Sequence, residues 1–197
     1  MLDIFIHSSA GLHEAPPLAQ RQHDYVHKIV FLGDTGVGKT SLTQRYVYDS
    51  LSEMGRTIGA ILHVKRVEIR DLLNKLVIWD LGGQESFAEM REQYCSEASG
   101  AFFVFDRTRS ETLANYEKWL TALYAAAGKV PVVFVENKID LESELDPQNV
   151  IKIAESHASR LIQTSATENL NVDLAFKYLV EAILAGIKGE DIQVMKS

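Results

Sequence analysis

Eight consecutive residues, Gly33-Asp34-Thr35-Gly36-Val37-Gly38-Lys39-Thr40, fit the pattern G-x-x-x-x-G-K-[ST]. Glycines at these positions let the backbone curl so that successive N–H groups face the oxygens of an anion with no Cβ in the way. Lys39 supplies a point charge for terminal phosphates and Thr40 a hydroxyl for Mg²⁺. A helix starting at Lys39 adds the favourable dipole of its N-terminus. Asp34, Thr35, Gly36, Val37, Gly38, Lys39, Thr40 and Ser41 are therefore the expected phosphate contacts. The motif follows the apolar run Val26–Leu32 and precedes a helical pattern, which is the context it requires; a glycine-rich turn without a ligand is the ordinary alternative.

That loop does not separate ATP from GTP. Asn137-Lys138-Ile139-Asp140, directly after the strand-like run Val130–Val135, does. A carboxylate accepts hydrogen bonds from N1–H and the 2-amino group of guanine, whereas adenine offers neither donor there. Asp140 takes that role, Asn137 meets the purine's polar edge and ties its loop to the phosphate loop, and the Lys138 stem covers the base face. A polar turn capping the next helix is the bland reading of this tetrapeptide on its own. Between the two motifs lies Trp79-Asp80-Leu81-Gly82-Gly83-Gln84-Glu85. Asp80 ends a strand on the edge where open α/β sheets bind ligands and can hold Mg²⁺, most simply through water. Gly83 allows a backbone N–H to approach a γ-phosphate, and Gln84 can orient an attacking water.

The elements that must carry these residues are legible in the pattern. Lys39 to about Tyr48 reads as a helix, Ala60–Arg70 and Leu76–Trp79 as a hairpin turning at Asp71–Asn74, and Ala101–Phe105, Val130–Val135 and Leu161–Thr164 as further strands. Helices are expected at about Glu85–Ser96, Glu111–Ala127, Pro147–His157 and Val172–Leu184. Strands alternating with helices imply a mostly parallel sheet, here six strands with one antiparallel edge strand, with helices on both faces. The 197 residues, with 46% hydrophobic and 24% charged, suit one domain, expected over residues 25–186. Residues 1–24 carry three of the six histidines and Pro16-Pro17 without a sustained period; they read as a flexible extension, with a partner-docking segment as the sharper alternative. Residues 187–197 read as a short polar tail.

A net charge of −7 argues against broad attraction to nucleic acid or anionic membrane, and the single Cys95 excludes an internal disulfide. No stretch approaches the length of a membrane span, and Met1–Ala10 lacks a signal peptide's basic flank. A cytoplasmic protein is expected.

Gly33–Thr40, Thr57-Ile58-Gly59, Asp80–Glu85, Asn137–Asp140 and Ser165-Ala166-Thr167 stand in the order found in Ras-superfamily small GTPases, and the wording most resembles the Rab family. The resemblance runs from about Tyr25 to Gly186. It implies GTP or GDP and Mg²⁺ as ligands, with Thr40, Thr57 and Asp80 at the metal, Ser165, Ala166 and Thr167 at the base, and Gln84, Lys39 and Thr57 in hydrolysis. It also implies two switch segments, around Leu51–Ala60 and Gly82–Gln93, that rearrange on hydrolysis. Through them a monomeric protein would meet effectors, exchange factors and activators.

Several residues depart from the family pattern. Leu51 stands where an aromatic usually packs on guanine, which weakens base stacking or leaves it to Tyr48 from a different angle. The segment from Lys39 to Thr57 is one residue short. Gly82 replaces the usual alanine, so that Leu-Gly-Gly-Gln is similar to Arf and heterotrimeric Gα proteins. Thr167 replaces a common lysine. Arg56 invites comparison with the cis arginine of Gα proteins, but its position differs and an exposed loop arginine is the simpler reading. The chain ends in Val194-Met195-Lys196-Ser197 and has leucine at position 2, so no lipid anchor of its own is expected, and any membrane would have to recruit it through a partner. Two rivals remain beside a cycling switch. One is a nucleotide-binding scaffold that does not cycle, which Leu51 and the short first segment favour. The other is a P-loop kinase or ATPase, which would need an acceptor or lid insertion that this chain lacks.

Overall fold

The structure is a computed structural model that describes residues 23–51, 57, 59–82 and 88–189, without the side chains of 88–91. Gly83, Gln84, Arg56 and Ile58, with most of the N-terminal extension and of the tail, lie outside the described residues.

The chain order is β1 (Tyr25–Leu32), α1 (Lys39–Tyr48), β2 (Ala60–Ile69), β3 (Leu72–Leu81), α2 (Ala88–Cys95), β4 (Gly100–Asp106), α3 (Ser110–Ala114), α4 (Tyr116–Ala127), β5 (Val132–Asn137), α5 (Pro147–Ser156), β6 (Arg160–Thr164) and α6 (Val172–Lys188). The six strands lie side by side as β2-β3-β1-β4-β5-β6. Every pair is parallel except β2 with β3, as the sequence pattern implies. Every residue of β4 and β5 is buried, because helices cover both faces. Ile29, Phe31, Phe102, Val104 and Val135 pack on one side with α1 and α6. Val30, Leu32, Phe103, Phe105 and Phe134 pack on the other with residues of α2 to α5. After β1 the chain crosses to β3 on one side, then to β4 on the other. The order therefore reverses at β1, and the crevice beyond the carboxyl ends of β1 and β4 is where such sheets bind ligands.

Several boundaries differ from the expected ones, three of them through a different turn, a break or a shift. The hairpin turns at Arg70-Asp71, both at positive φ (54° and 59°), and not over Asp71–Asn74. A two-residue turn of this hand matches the twist of its strands even without glycine. Asn74 thereby becomes a buried β3 residue that bonds His27 Nε2 at 2.9 Å and the Leu72 carbonyl at 2.7 Å. The helix expected over Glu111–Ala127 is broken at Asn115, whose amide is used elsewhere, as described below. The strand expected over Val130–Val135 is shifted to Val132–Asn137, which carries Asn137 to the sheet's ligand edge.

Gly33 leaves β1 at φ +130°, and a Cβ there would stand 2.1 Å from the Val104 carbonyl oxygen on the neighbouring strand. Gly186, within α6, has open space around its would-be Cβ. Gly33→Ala should therefore cost on the order of 3 kcal/mol from strain and overpacking. Gly186→Ala should gain up to about 1 kcal/mol in helix propensity. Denaturant midpoints of the two variants, moving in opposite directions from wild type, check both.

Candidate functional site

At the end of β1 the chain curls through Gly36 (φ 79°) and Gly38 (φ 101°) into α1. A Cβ on Gly38 would lie 2.2 Å from Asn137 Nδ2, so glycine here is required by close approach as well as by φ. Lys39 is almost fully buried; its ammonium donates to the carbonyls of Gly33 (2.7 Å) and Asp34 (2.8 Å), inside the ring the loop makes. Ser41 is half-buried in the first turn of α1.

Thr40 Oγ1 donates to Asp80 Oδ2 at 2.5 Å and lies 2.7 Å from Thr57 Oγ1. The three expected metal residues thus converge, from α1, from the end of β3 and from the first switch segment. Asp80 is wholly buried, and its Oδ1 finds no hydrogen-bond partner among the described residues. Burial pushes its carboxyl above the ordinary carboxylate range, against the Thr40 bond and the charges of Lys39 and His63. A buried carboxylate oxygen without a partner is costly unless a cation or proton meets it. Two hydroxyls and a carboxylate are hard oxygen donors, so the group fits Mg²⁺.

The residues expected to read the base are also brought together. Asn137 Nδ2 donates to the Val37 carbonyl at 2.9 Å, the expected tie between the loops, while Asn137 Oδ1 accepts from Thr164 Oγ1. Ser165 Oγ donates to Asp140 Oδ1 at 2.6 Å and accepts from the Glu168 N–H, which aims the carboxylate. Arg45, on α1, donates to the carbonyls of Ala166 and Thr167 at 3.0 and 3.2 Å, so the phosphate helix also supports the third base segment. Tyr48 is a correction. Its hydroxyl is 3.2 Å from His63 Nδ1 on β2, at the sheet edge opposite β6, so it does not stand over the base loops.

Motif residues also engage partners that carry no motif. Asp34 turns its side chain away from the loop's interior: its carboxylate accepts from Asn115 Nδ2 at 2.7 Å and from Trp119 Nε1 at 3.0 Å. This contact is made at the residue where α3 ends and α4 begins. Asp106 Oδ2 meets Lys138 Nζ at 2.6 Å and Arg109 Nε at 3.1 Å, while Oδ1 accepts from Thr108. Burial raises the Asp106 carboxyl, but the bonds from Lys138 and Thr108 outweigh it and hold the group below the ordinary range. Asp106 was findable as the acidic end of an otherwise apolar strand; Arg109, Asn115 and Trp119 had no local signal.

Residues 28–185 match the model of the Ras family. The chain belongs to the Ras family. It is 36% identical to Ras-related protein Rab-32 of Homo sapiens over 88% of this chain and 82% of that protein. Ras-related protein Rab-25 of Bos taurus is 34% identical, over 86% and 81%, and Ras-related protein Rab-18-B of Danio rerio 37%, over 80% and 78%. The protein is a Rab-like, GTP-binding small GTPase of the Ras superfamily, and the Ras-like fold accounts for the sheet order found. No helix among this GTPase's described residues is long and apolar enough to cross a membrane.

Trp119→Phe keeps an aromatic ring on α4 but removes the indole donor to Asp34. A hydrogen bond to a charged group contributes about 1.5–3 kcal/mol, less where its acceptor is part-exposed as here. The denaturant midpoint should fall by roughly 1 kcal/mol equivalent, and nucleotide dissociation, followed with a fluorescent GDP analogue, should speed up.

Proposed function

We propose that this GTPase is a Mg²⁺-dependent switch that binds GTP and GDP, hydrolyses GTP slowly by itself, and engages partner proteins through two segments that respond to the γ-phosphate. The observation that carries this reading is the convergence of Thr40, Thr57 and Asp80 around a buried carboxylate oxygen without a partner, beside the Lys39 ammonium. Thr57 belongs to the first switch segment and Thr40 to the phosphate helix. A ligand that recruits both hydroxyls therefore reports its presence to the segment that carries Thr57.

In this reading Lys39 and the backbone N–H groups of Asp34 to Ser41 hold the phosphates, and Thr40, Thr57 and Asp80 hold Mg²⁺. Mg²⁺, when bound, neutralises phosphate charge as it builds during transfer. The chain's own residues do the rest. Gln84 orients the attacking water, Gly83 brings its N–H toward the γ-phosphate, and Lys39 stabilises charge on the transferring group. Asp140 accepts from the guanine ring while Ser165 holds it in aim, and the Lys138 stem lies along the base. The sequence motifs offer no evident second catalytic base, which accords with slow hydrolysis that a partner's arginine accelerates. Kinship with Rab-named proteins supports a role in intracellular membrane trafficking or signalling, with the chain recruited through a partner.

Two experiments test this. Purified protein should bind GTP and GDP tightly and ATP weakly, and single-turnover GTP hydrolysis should need Mg²⁺ and disappear in Gln84→Leu. Binding with no hydrolysis in either protein, even with an activator present, would favour the non-cycling scaffold. Asp140→Asn should lose guanine-nucleotide affinity by on the order of 100-fold or more, two charge-assisted bonds at about 1.5–3 kcal/mol each. The same variant should gain xanthine-nucleotide binding, because an amide N–H can meet the 2-oxo group. Unchanged guanine preference in that variant would mean that Asp140 does not read the base.

A further inference from the structure

The base-reading loop and the phosphate loop lie on different strand ends, after β5 and β1, with β4 between them. A direct tie joins them, Asn137 Nδ2 to the Val37 carbonyl, with Gly38 packed close against the same amide. One hydrogen bond by itself fixes a distance more firmly than an orientation. A second, independent path runs through the end of β4. Lys138 Nζ lies 2.6 Å from Asp106 Oδ2, and the same oxygen accepts from Arg109 Nε at 3.1 Å. Arg109 then donates from its terminal nitrogen to the Thr35 carbonyl at 3.1 Å.

The middle of this path is well fixed. The Asp106 side chain is almost fully buried, and Thr108 holds its other oxygen through both its N–H and its hydroxyl. Thr112 Oγ1 also accepts from the Asp106 N–H. The neighbouring residue steadies the base loop from the same strand end. Arg107 donates to Glu136 Oε1 at 3.0 Å and to the carbonyl of Ile139 at 3.0 Å, and its own N–H donates to the Asn137 carbonyl.

We propose that Asp106 and Arg109 are positioning residues that couple the base loop to the phosphate loop, so that guanine and the phosphates are gripped in one fixed register. This rests on the guanine-nucleotide reading above. Lys138 faces the base while its ammonium is tethered to Asp106; Arg109 carries that constraint to the carbonyl of Thr35. Neither Asp106 nor Arg109 needs to touch the nucleotide for this. Their effect falls on ligands that span both loops.

Ligand truncation tests the coupling. Dissociation constants for GDP, GMP and guanosine are measured by displacement of N-methylanthraniloyl-GDP from wild type, Asp106→Asn, Arg109→Met and Arg109→Lys, with denaturant midpoints alongside. Asp106→Asn should weaken GDP on the order of tenfold and guanosine clearly less, because only GDP engages both loops. Arg109→Met should weaken GDP several-fold and leave guanosine within about twofold, and Arg109→Lys should restore part of the loss. Equal losses on all three ligands, or no loss on GDP, overturn the proposal. Should Asp106→Asn fold poorly, Arg109→Met, on the part-exposed side of the pair, carries the test alone. Absence of guanine preference in wild type would instead remove the reading beneath it.

Discussion

A carboxylate removed from water with one oxygen bonded and the other left over is a constraint that a fold must be built to tolerate. Asp80 is in that position. Its desolvation in a low-dielectric interior costs several kcal/mol unless charge or hydrogen bonds offset it. Much of the surrounding architecture bears on this residue. β3 is inserted beside β1 in parallel register, with Phe31 opposite Asp80, so the carboxylate reaches the same edge as the phosphate loop. α1 presents Thr40 to one oxygen, and the Lys39 ammonium contributes a nearby positive charge. β2 screens the group from its other side, with Ile61 opposite it and His63, itself held below the ordinary histidine range by burial, nearby. A rigid sheet thus holds the buried carboxylate at the ligand edge, where a cation would offset its desolvation.

Gly82 stands where the fold leaves no room for a side chain. A Cβ on Gly82 would lie 2.5 Å from the Thr57 carbonyl oxygen and 3.1 Å from that of Gly59, and the Gly82 N–H donates to the Gly59 carbonyl at 2.8 Å. The chain carrying Thr57 therefore passes directly over the residue after Leu81, closer than an alanine would permit. The segment from Lys39 to Thr57 is also one residue short, which leaves less slack between α1 and this contact. Glycine at 82 and the shortened segment are consistent with each other: a shorter path needs the nearer approach. The resemblance to Arf and Gα wording at this point has a local steric reason whatever its descent.

The fold was largely legible, because alternation and apolar runs report burial directly. The fully buried β4 and β5 read as continuous apolar runs, and the hairpin read as period-two alternation. What the pattern missed was set by side-chain contacts at a distance. At the break, Asn115 bonds Asp34, 81 residues away, a contact that nothing local announces. The same holds for the site. The residues proposed to meet phosphate and base stood out because that chemistry demands particular types at particular spacing. Tyr48, one of two alternatives for the base face, is turned instead toward His63, a residue of a different strand. Gln84 and Gly83, legible from the motif, fall outside the described residues.

The two halves of the site differ in how firmly they are held, and that difference suits a switch. Asn137, Lys138, Ile139 and Asp140 each have a bond to a part of the fold other than their own loop, and Arg107 adds two more, to the carbonyls of Asn137 and Ile139. Releasing them together means breaking several charge-assisted and buried bonds at once. Thr57, among the described residues, meets Thr40 through its hydroxyl and packs its carbonyl closely over Gly82. A typical net hydrogen bond contributes about 1 kcal/mol, small beside what a charged γ-phosphate and its cation can supply. On the proposed reading the base half stays in place while the nucleotide's terminal phosphate decides where Thr57 sits. Affinity for the nucleotide and sensitivity to its state are thereby assigned to different bonds, and either can change without undoing the other.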